Sequence, residues 1–385
     1  MIRRLLPFLF ALKPTRLGVL FAVLVGLGVG LWQWGQPPRP RMVLEKLDHE
    51  FKAHFSTDGR TLAIIDGRRF NNSLTLWDVR TGQKKRTLCK DTQVTGVAFS
   101  PDCRRIACRF SEASGVWDVS DGRELAIYDC PHDLFFSPDG KLLAVGQDYE
   151  LWDVVEKKLV KNPEVHRGRA SVLREGNIVF VRDEKQHVKI WDLATATVCA
   201  ERDDIPDFGE PARVTLSSNH RFLIHYPTEF IGHQPPVYIW DLDTNQKREF
   251  SNGSRFMTGA EMASDGQTFA LGLWDPYRAI PRKSWCWFAN WLGTKSERSD
   301  YFVVLRSFPA GDEVAFLNDC RSPMFSLDGR TLAVTSADGK SLQLWDFPIR
   351  KPIGKILGLA GLAAVATLLA FNALGWLRKR RHKTA

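Results

Sequence analysis

The chain has 385 residues, of which 44% are apolar and 25% are charged, so it can bury a large core. The formal net charge is +9, but much of the excess lies at the two chain ends, and basic residues alternate with acidic ones in between, which argues against a nucleic-acid groove. The seven cysteines are odd in number and contain no Cys-x-x-Cys pair, which excludes a complete disulfide framework and argues against a zinc cluster.

The first 41 residues predict a membrane anchor. Residues 1–16 form a basic tail, and residues 17–34 predict a transmembrane helix of about 27 Å, close to the thickness of a bilayer core. A cleaved signal peptide is the alternative, although no Ala-x-Ala-like cleavage site follows. Gly26 and Gly30 are four residues apart, a spacing that serves helix packing or reflects ordinary glycine content. Residues 35–41 predict a stiff Pro-rich linker.

Two short motifs recur from residue 42 onward. The first is Phe-Ser-x-Asp-Gly, as in the segment from Phe55 to Gly59, and it predicts a tight turn with a left-handed glycine. The second is Trp-Asp after an apolar residue. We expect its tryptophans to hold adjacent repeats together, and they are Trp77, Trp117, Trp152, Trp191, Trp240 and Trp345.

The spacing of these motifs predicts a β-propeller, because four short antiparallel strands recur about every 40 to 45 residues. The long interval between Trp240 and Trp345 contains one more repeat, whose turn is the segment from Met262 to Gly266. The count is seven blades over residues 42–348. The last blade lacks a fourth strand, so we expect residues 42–47 to pair with its third strand, with residue 347 beside residue 41.

These motifs resemble those of the WD-repeat family across roughly residues 41–348. The resemblance implies a WD-repeat propeller with degenerate repeats and, because most members are interaction platforms, a non-catalytic role. Family repeats usually carry a Gly-His pair between blades, whereas the one pair here, Gly232-His233, precedes a third strand. The hydrogen-bond network that this histidine usually joins is therefore expected to be absent.

The apolar run 354–377 predicts a second transmembrane helix, followed by a basic tail at residues 378–385. The predicted fold class is all-β, a seven-bladed β-propeller of four-stranded antiparallel blades flanked by two transmembrane α-helices. Basic residues are more numerous on the outer flanks, which predicts a multi-pass membrane protein with both termini cytoplasmic and the propeller extracytoplasmic. The free cysteines favour the opposite sidedness.

One long irregular insertion, residues 274–300, separates the second and third strands of blade 6. Alternation of strand direction places this loop on the face opposite the recurring turns. Long loops are often functional, and Trp, Tyr and Arg dominate binding hot spots. Packing on the blade's own surface and membrane contact are the alternatives. The candidate partner-binding residues are Tyr277, Arg282, Lys283, Trp285, Trp287, Phe288 and Trp291.

Catalytic motifs are missing from the sequence: there is no HExxH, GxSxG or P-loop, and no GxGxxG that follows a strand. Cys108 and Cys199 lie in apolar runs and are interpreted as small buried hydrophobes. We therefore predict a membrane-tethered, two-pass scaffold for protein–protein interaction, with no catalytic residue, cofactor, metal or nucleic-acid partner. The alternatives are a propeller enzyme, hydrolytic or redox, with its site at the channel mouth, and a ligand sensor.

Overall fold

The structure is a computed structural model. The residues that it describes are 14–35, 38–45, 47, 51–68, 71–129, 133–137, 140–145, 151–161, 169–173, 178–182, 188–192, 197–202, 212–217, 221–227, 236–252, 255–275, 300–349 and 353–381. The chain divides into two compact units, one formed by residues 1–39 with 349–385 and the other by residues 40–348.

The first unit contains helix α1 (Pro14–Gly35) and helix α2 (Ile353–Arg381). They pack closely where α1 has glycine. A Cβ atom added at Gly26 would lie 3.0 Å from the carbonyl oxygen of Ala360 and 3.1 Å from the Cβ of Ala364. At Gly30 it would lie 3.5 Å from the Cβ of Ala360. The Gly26–Gly30 step therefore serves helix packing, because small residues let two helices approach.

No helix in the described part of the chain is long and apolar enough to cross a membrane. The predicted transmembrane helices at 17–34 and 354–377 are therefore wrong, as is that part of the predicted fold class. The predicted multi-pass location, with cytoplasmic termini and an extracytoplasmic propeller, is wrong for the same reason.

In the second unit, the described strands form seven four-stranded antiparallel sheets. Sheet 1 contains β2 (Lys52–Phe55), β3 (Thr61–Arg68), β4 (Asn71–Asp78) and β5 (Lys84–Thr92). Sheet 2 contains β6 (Gly96–Phe99), β7 (Arg105–Arg109), β8 (Ser114–Asp118) and β9 (Glu124–Tyr128). Sheet 3 contains β10 (Asp133–Phe136), β11 (Leu142–Val145), β12 (Leu151–Asp153) and β13 (Lys158–Lys161).

The remaining sheets follow the same order along the chain. Sheet 4 contains β14 (Arg169–Leu173), β15 (Ile178–Arg182), β16 (Val188–Asp192) and β17 (Thr197–Arg202). Sheet 5 contains β18 (Ala212–Leu216), β19 (Phe222–Pro227), β20 (Val237–Asp241) and β21 (Gln246–Phe250). Sheet 6 contains β22 (Phe256–Met262), β23 (Thr268–Trp274), β24 (Tyr301–Ser307) and β25 (Glu313–Asn318). Sheet 7 contains β26 (Cys320–Phe325), β27 (Thr331–Ser336), β28 (Leu342–Asp346) and β1 (Met42–Leu44).

Sheet 7 joins the two ends of the unit, as predicted, because β1 pairs with β28. The register differs by two residues from the expected one, since Met42 lies opposite Leu344. The observed register buries Leu44 in a core cluster that includes Leu342 and Leu344. A shift of two residues keeps the same side chains on the buried face, so the hydrophobic pattern alone cannot distinguish the two registers.

The recurring turns have the predicted geometry. In the first of them Ser56 donates to the carboxylate of Asp58 at 2.6 Å, and the same Ser56 oxygen accepts from the Thr61 amide at 2.9 Å. Cys103 takes the glycine position of the second turn with φ 58°. The glycines in left-handed conformation at this position are Gly59, Gly140, Gly266 and Gly329.

Adjacent sheets pack through apolar clusters. One cluster joins sheets 1 and 2, a second joins sheets 7 and 1, and a third joins sheets 5 and 6. Of the repeat tryptophans, Trp117, Trp240 and Trp345 are buried, and half-buried Trp77 donates its indole N–H to Thr75 at 2.9 Å. The side chains of Trp152 and Trp191 lie outside the described residues.

Candidate functional site

The seven candidate partner-binding residues, from Tyr277 to Trp291, lie in the segment 276–299, outside the described residues. Both ends of the insertion are described, however. The chain leaves sheet 6 at Trp274 and returns at Tyr301, which lie opposite each other. The amide of Asp275 donates to the carbonyl of Asp300 at 2.9 Å, so the strand pairing continues one step into the insertion.

Three aromatic side chains form a row across the end of sheet 6. Phe256 lies opposite Trp274, and Trp274 lies opposite Tyr301. The ring centroids are 4.6 Å apart in the first pair and 6.1 Å apart in the second. Residues that lie opposite each other in neighbouring strands share one face of the sheet, so the three rings make a continuous surface. Each aromatic pair stabilises the sheet by about 0.2–1 kcal/mol.

Arginine side chains flank this row. The guanidinium of Arg321, which comes from sheet 7, lies 5.6 Å from the ring centroid of Tyr301, within range of a cation–π interaction. Arg255 directly precedes Phe256, and its Nε lies 3.1 Å from the carboxylate of Asp275. The same guanidinium lies 5.5 Å from the ring of Phe302. We call Phe256, Trp274, Tyr301 and Arg321 the aromatic cluster.

Every member of the aromatic cluster is half-buried. Rings in this state have one edge fixed by packing and another available to solvent or to a ligand. Strand pairing holds the backbone of all three aromatic residues, and strands position side chains more precisely than loops do. The cluster is therefore a rigid, partly exposed base from which the insertion begins and ends.

The sequence identified only part of this site. Trp274 and Tyr301 border the insertion and are visible as its limits. Phe256 and Arg321 were missed because they come from other strands and join the cluster only through strand pairing and sheet packing. An available signal was the Arg255-Phe256 pair at the start of β22, because β22 pairs with β23, the strand that leads into the insertion.

Most described aspartates are held by turns, on the edge of the sheets away from the insertion. Arg221 contacts the two carboxylate oxygens of Asp241 at 2.9 and 2.6 Å, and these hydrogen bonds lower the pKa of Asp241 to about 2. A hydrogen bond from Ser100 lowers the pKa of Asp102. Hydrogen bonds from Ser120 likewise lower the pKa of Asp118. These carboxylates are structural acceptors.

Metal-ligating side chains are dispersed in the part of the chain that the structure describes. Within it, no group of three or more His, Cys, Asp or Glu side chains is placed to hold a metal ion. Buried His225 sits instead among rings, 6.4 Å from that of Tyr238 and 6.5 Å from that of Trp240.

The chain resembles solved β-propeller structures. No protein-family profile matches the chain, and no curated protein matches it. Among solved structures, it is similar to the crystal structure of the Myceliophteria thermophila Cps50 (Swd1) beta-propeller domain, with a TM-score of 0.56 and 13% sequence identity. The match covers 80% of this chain and 99% of that one. At this identity the likeness shows the fold alone, and the fold is a β-propeller.

Proposed function

We propose that the chain is a non-catalytic platform for protein–protein interaction, of the WD-repeat kind, and that it binds its partner at the aromatic cluster. The observation that carries this proposal is the row of Phe256, Trp274 and Tyr301, continued by Arg321 from the next sheet. Trp, Tyr and Arg are the residue types most enriched among binding hot spots.

The chemistry of the cluster suits a protein ligand. Its rings present apolar area that loses little conformational entropy on binding, because each ring is already held by its neighbours. Arg321 adds a planar group of five N–H donors, and its described contact is with a ring rather than with a carboxylate. A partner can therefore bury apolar surface on the rings and place a hydrogen-bond acceptor on the guanidinium.

The insertion extends this surface in the proposal. Its Trp285, Trp287 and Trp291 would supply further anchors, and its two ends are tied to a rigid base by strand pairing and by the Arg255–Asp275 ion pair. Fixing both ends of the insertion in this way lowers the entropy cost of placing it against a partner. The proposed binding surface thus combines the aromatic cluster with the insertion that begins and ends beside it.

The proposal is tested by quantitative affinity enrichment from the cells that naturally express the chain. The full-length tagged protein is compared with the double variant Tyr301→Ala/Arg321→Ala and with the matched control Tyr128→Ala/Arg104→Ala, in which Tyr128 lies in β9 of sheet 2 and Arg104 in the turn between β6 and β7. Circular dichroism and thermal unfolding establish that all three are folded.

The expected result is a set of proteins depleted at least tenfold with the cluster variant and retained by the control. Loss of two hot-spot side chains costs more than about 1.4 kcal/mol of binding free energy, which corresponds to tenfold in affinity. Equal recovery with both variants would remove the cluster as the binding site.

A further inference from the structure

Two thiols meet where sheet 1 packs against sheet 2. Cys89 lies in β5, the outer strand of sheet 1, and Cys108 lies in β7, the second strand of sheet 2. Neither cysteine is in a disulfide. Cys89 packs against the apolar cluster that contains Cys108, and the two thiols are neighbours there.

A distortion of β5 creates this contact. Leu88 lies opposite Leu74, but the next paired residue, Thr92, lies opposite Asn72, so β5 has extra residues at this point. Consecutive side chains of a regular strand point to opposite faces. Here Leu88 and Cys89 follow each other and both pack on the same cluster. The bulge, with Cys89 at φ 48°, turns the thiol toward sheet 2.

The two thiols differ in access to solvent. Cys108 is fully buried, and that burial raises the pKa of its thiol well above the usual range. Cys89 is half-buried. An oxidant in solution therefore reaches Cys89 first, and Cys108 lies behind it in the same apolar cluster.

We propose that Cys89 and Cys108 form a redox-modified pair, which a hydroperoxide converts into a disulfide that links sheet 1 to sheet 2. The Cys89 sulfur gives up its proton and attacks one peroxide oxygen. The O–O bond breaks, and the departing alkoxide takes up a proton, which leaves Cys89 as a sulfenic acid.

In the second step the Cys108 sulfur attacks the Cys89 sulfur. The S–O bond breaks, and the departing hydroxide combines with the Cys108 proton to form water. In total, two thiols lose two electrons to one hydroperoxide, and the products are the disulfide, an alcohol and water. The sulfurs must close to about 2.05 Å to form the bond.

The other described cysteines serve as internal controls. Cys103 is half-buried, and its sulfur lies 2.8 Å from the hydroxyl of Thr57. Cys320 is buried, donates its S–H to the carbonyl of Leu317 at 3.3 Å, and has a pKa that burial raises to about 12. In the described part of the chain the sulfurs of these two residues contact oxygen atoms, so each is expected to stay out of disulfides in the folded protein.

The test uses the full chain treated with hydrogen peroxide, blocked with an alkylating reagent and digested with trypsin without reduction. Trypsin releases Cys89 in the tetrapeptide 87–90 and Cys108 in the tetrapeptide 106–109, so the linked pair has a unique mass. The variants are Cys108→Ala, which removes the resolving thiol, and Cys103→Ala as the matched control. The same oxidation in concentrated urea gives the pairing pattern of the unfolded chain.

The expected result is that the 87–90/106–109 pair exceeds every other pair at least tenfold in the folded protein. This preference should persist in Cys103→Ala and disappear in urea. In Cys108→Ala, Cys89 should instead accumulate as a sulfenic acid that a dimedone probe labels. Oxidation of Cys89 in the wild-type chain without the linked peptide would overturn the proposal, as would a Cys89 that remains reduced when Cys103 is oxidised.

Discussion

The pairing of β1 with sheet 7 predicts that substitutions at neighbouring residues of β1 will differ in their effect on stability, because one residue is buried and the next is exposed. Leu44 is 4% exposed and packs in the cluster with Leu342 and Leu344, whereas Val43 is 41% exposed. The variant Leu44→Ala removes a buried side chain and leaves a cavity, at an expected cost of about 2–4 kcal/mol. The variant Val43→Ala removes an exposed side chain from the same strand and should change the stability by less than about 0.5 kcal/mol.

The measurement is urea unfolding of the full chain, followed by tryptophan fluorescence. Leu44→Ala should lower the unfolding midpoint, and Val43→Ala should leave it close to that of the wild type. A second readout is hydrogen exchange, in which Leu44→Ala should expose the amides of β28 ahead of those in other sheets, since β28 loses its outer partner. Equal midpoints for the two variants would refute the inference that β1 closes sheet 7 through its buried face.

Two further predictions concern single contacts. Because Arg221 lowers the pKa of Asp241 from 3.8 to about 2, the ion pair stabilises the fold above pH 3.8, and this stability is lost as the pH falls toward 2. Asp241→Asn should remove this acid-sensitive contribution, so the difference in unfolding free energy between the wild type and the variant should shrink as the pH falls from 6 to 2, as measured by urea unfolding. At Gly272 a Cβ would lie 3.0 Å from the backbone nitrogen of Ser322, so Gly272→Ala should destabilise by about 1–3 kcal/mol. Gly259→Ala, whose nearest neighbours lie at 3.4 Å, should cost clearly less, and equal thermal shifts would contradict this packing.

Much of the fold was predictable because its local signals repeat. A Ser-x-Asp-Gly turn needs a hydroxyl, a carboxylate and a left-handed residue within four positions, so each copy marks a strand boundary. The missing repeat between Trp240 and Trp345 was found in this way, and its strands are those of sheet 6. The pairing of β1 with β28 was predictable because β28 would otherwise have an unpaired edge. The exact register of this pairing was not predictable.

Other features depend on contacts that a sequence does not display. Two apolar runs suggested membrane helices, yet no helix in the described part of the chain is both long and apolar enough to be a span. The aromatic cluster joins residues from strands of two sheets, so no motif contains it. The pairing of Cys89 with Cys108 depends on a bulge in β5, although the burial of Cys108 itself was predicted and is confirmed.

The most direct test of the proposed function is photo-crosslinking in cells that naturally express the chain. Tyr301 is replaced by a benzoyl-phenylalanine, which keeps an aromatic ring at the centre of the cluster, and Tyr128 is replaced in the same way as the control. The account predicts a discrete covalent adduct with another protein from position 301, which Arg321→Ala abolishes and which position 128 does not give. The same adducts from both positions, or no adduct from position 301, would contradict it.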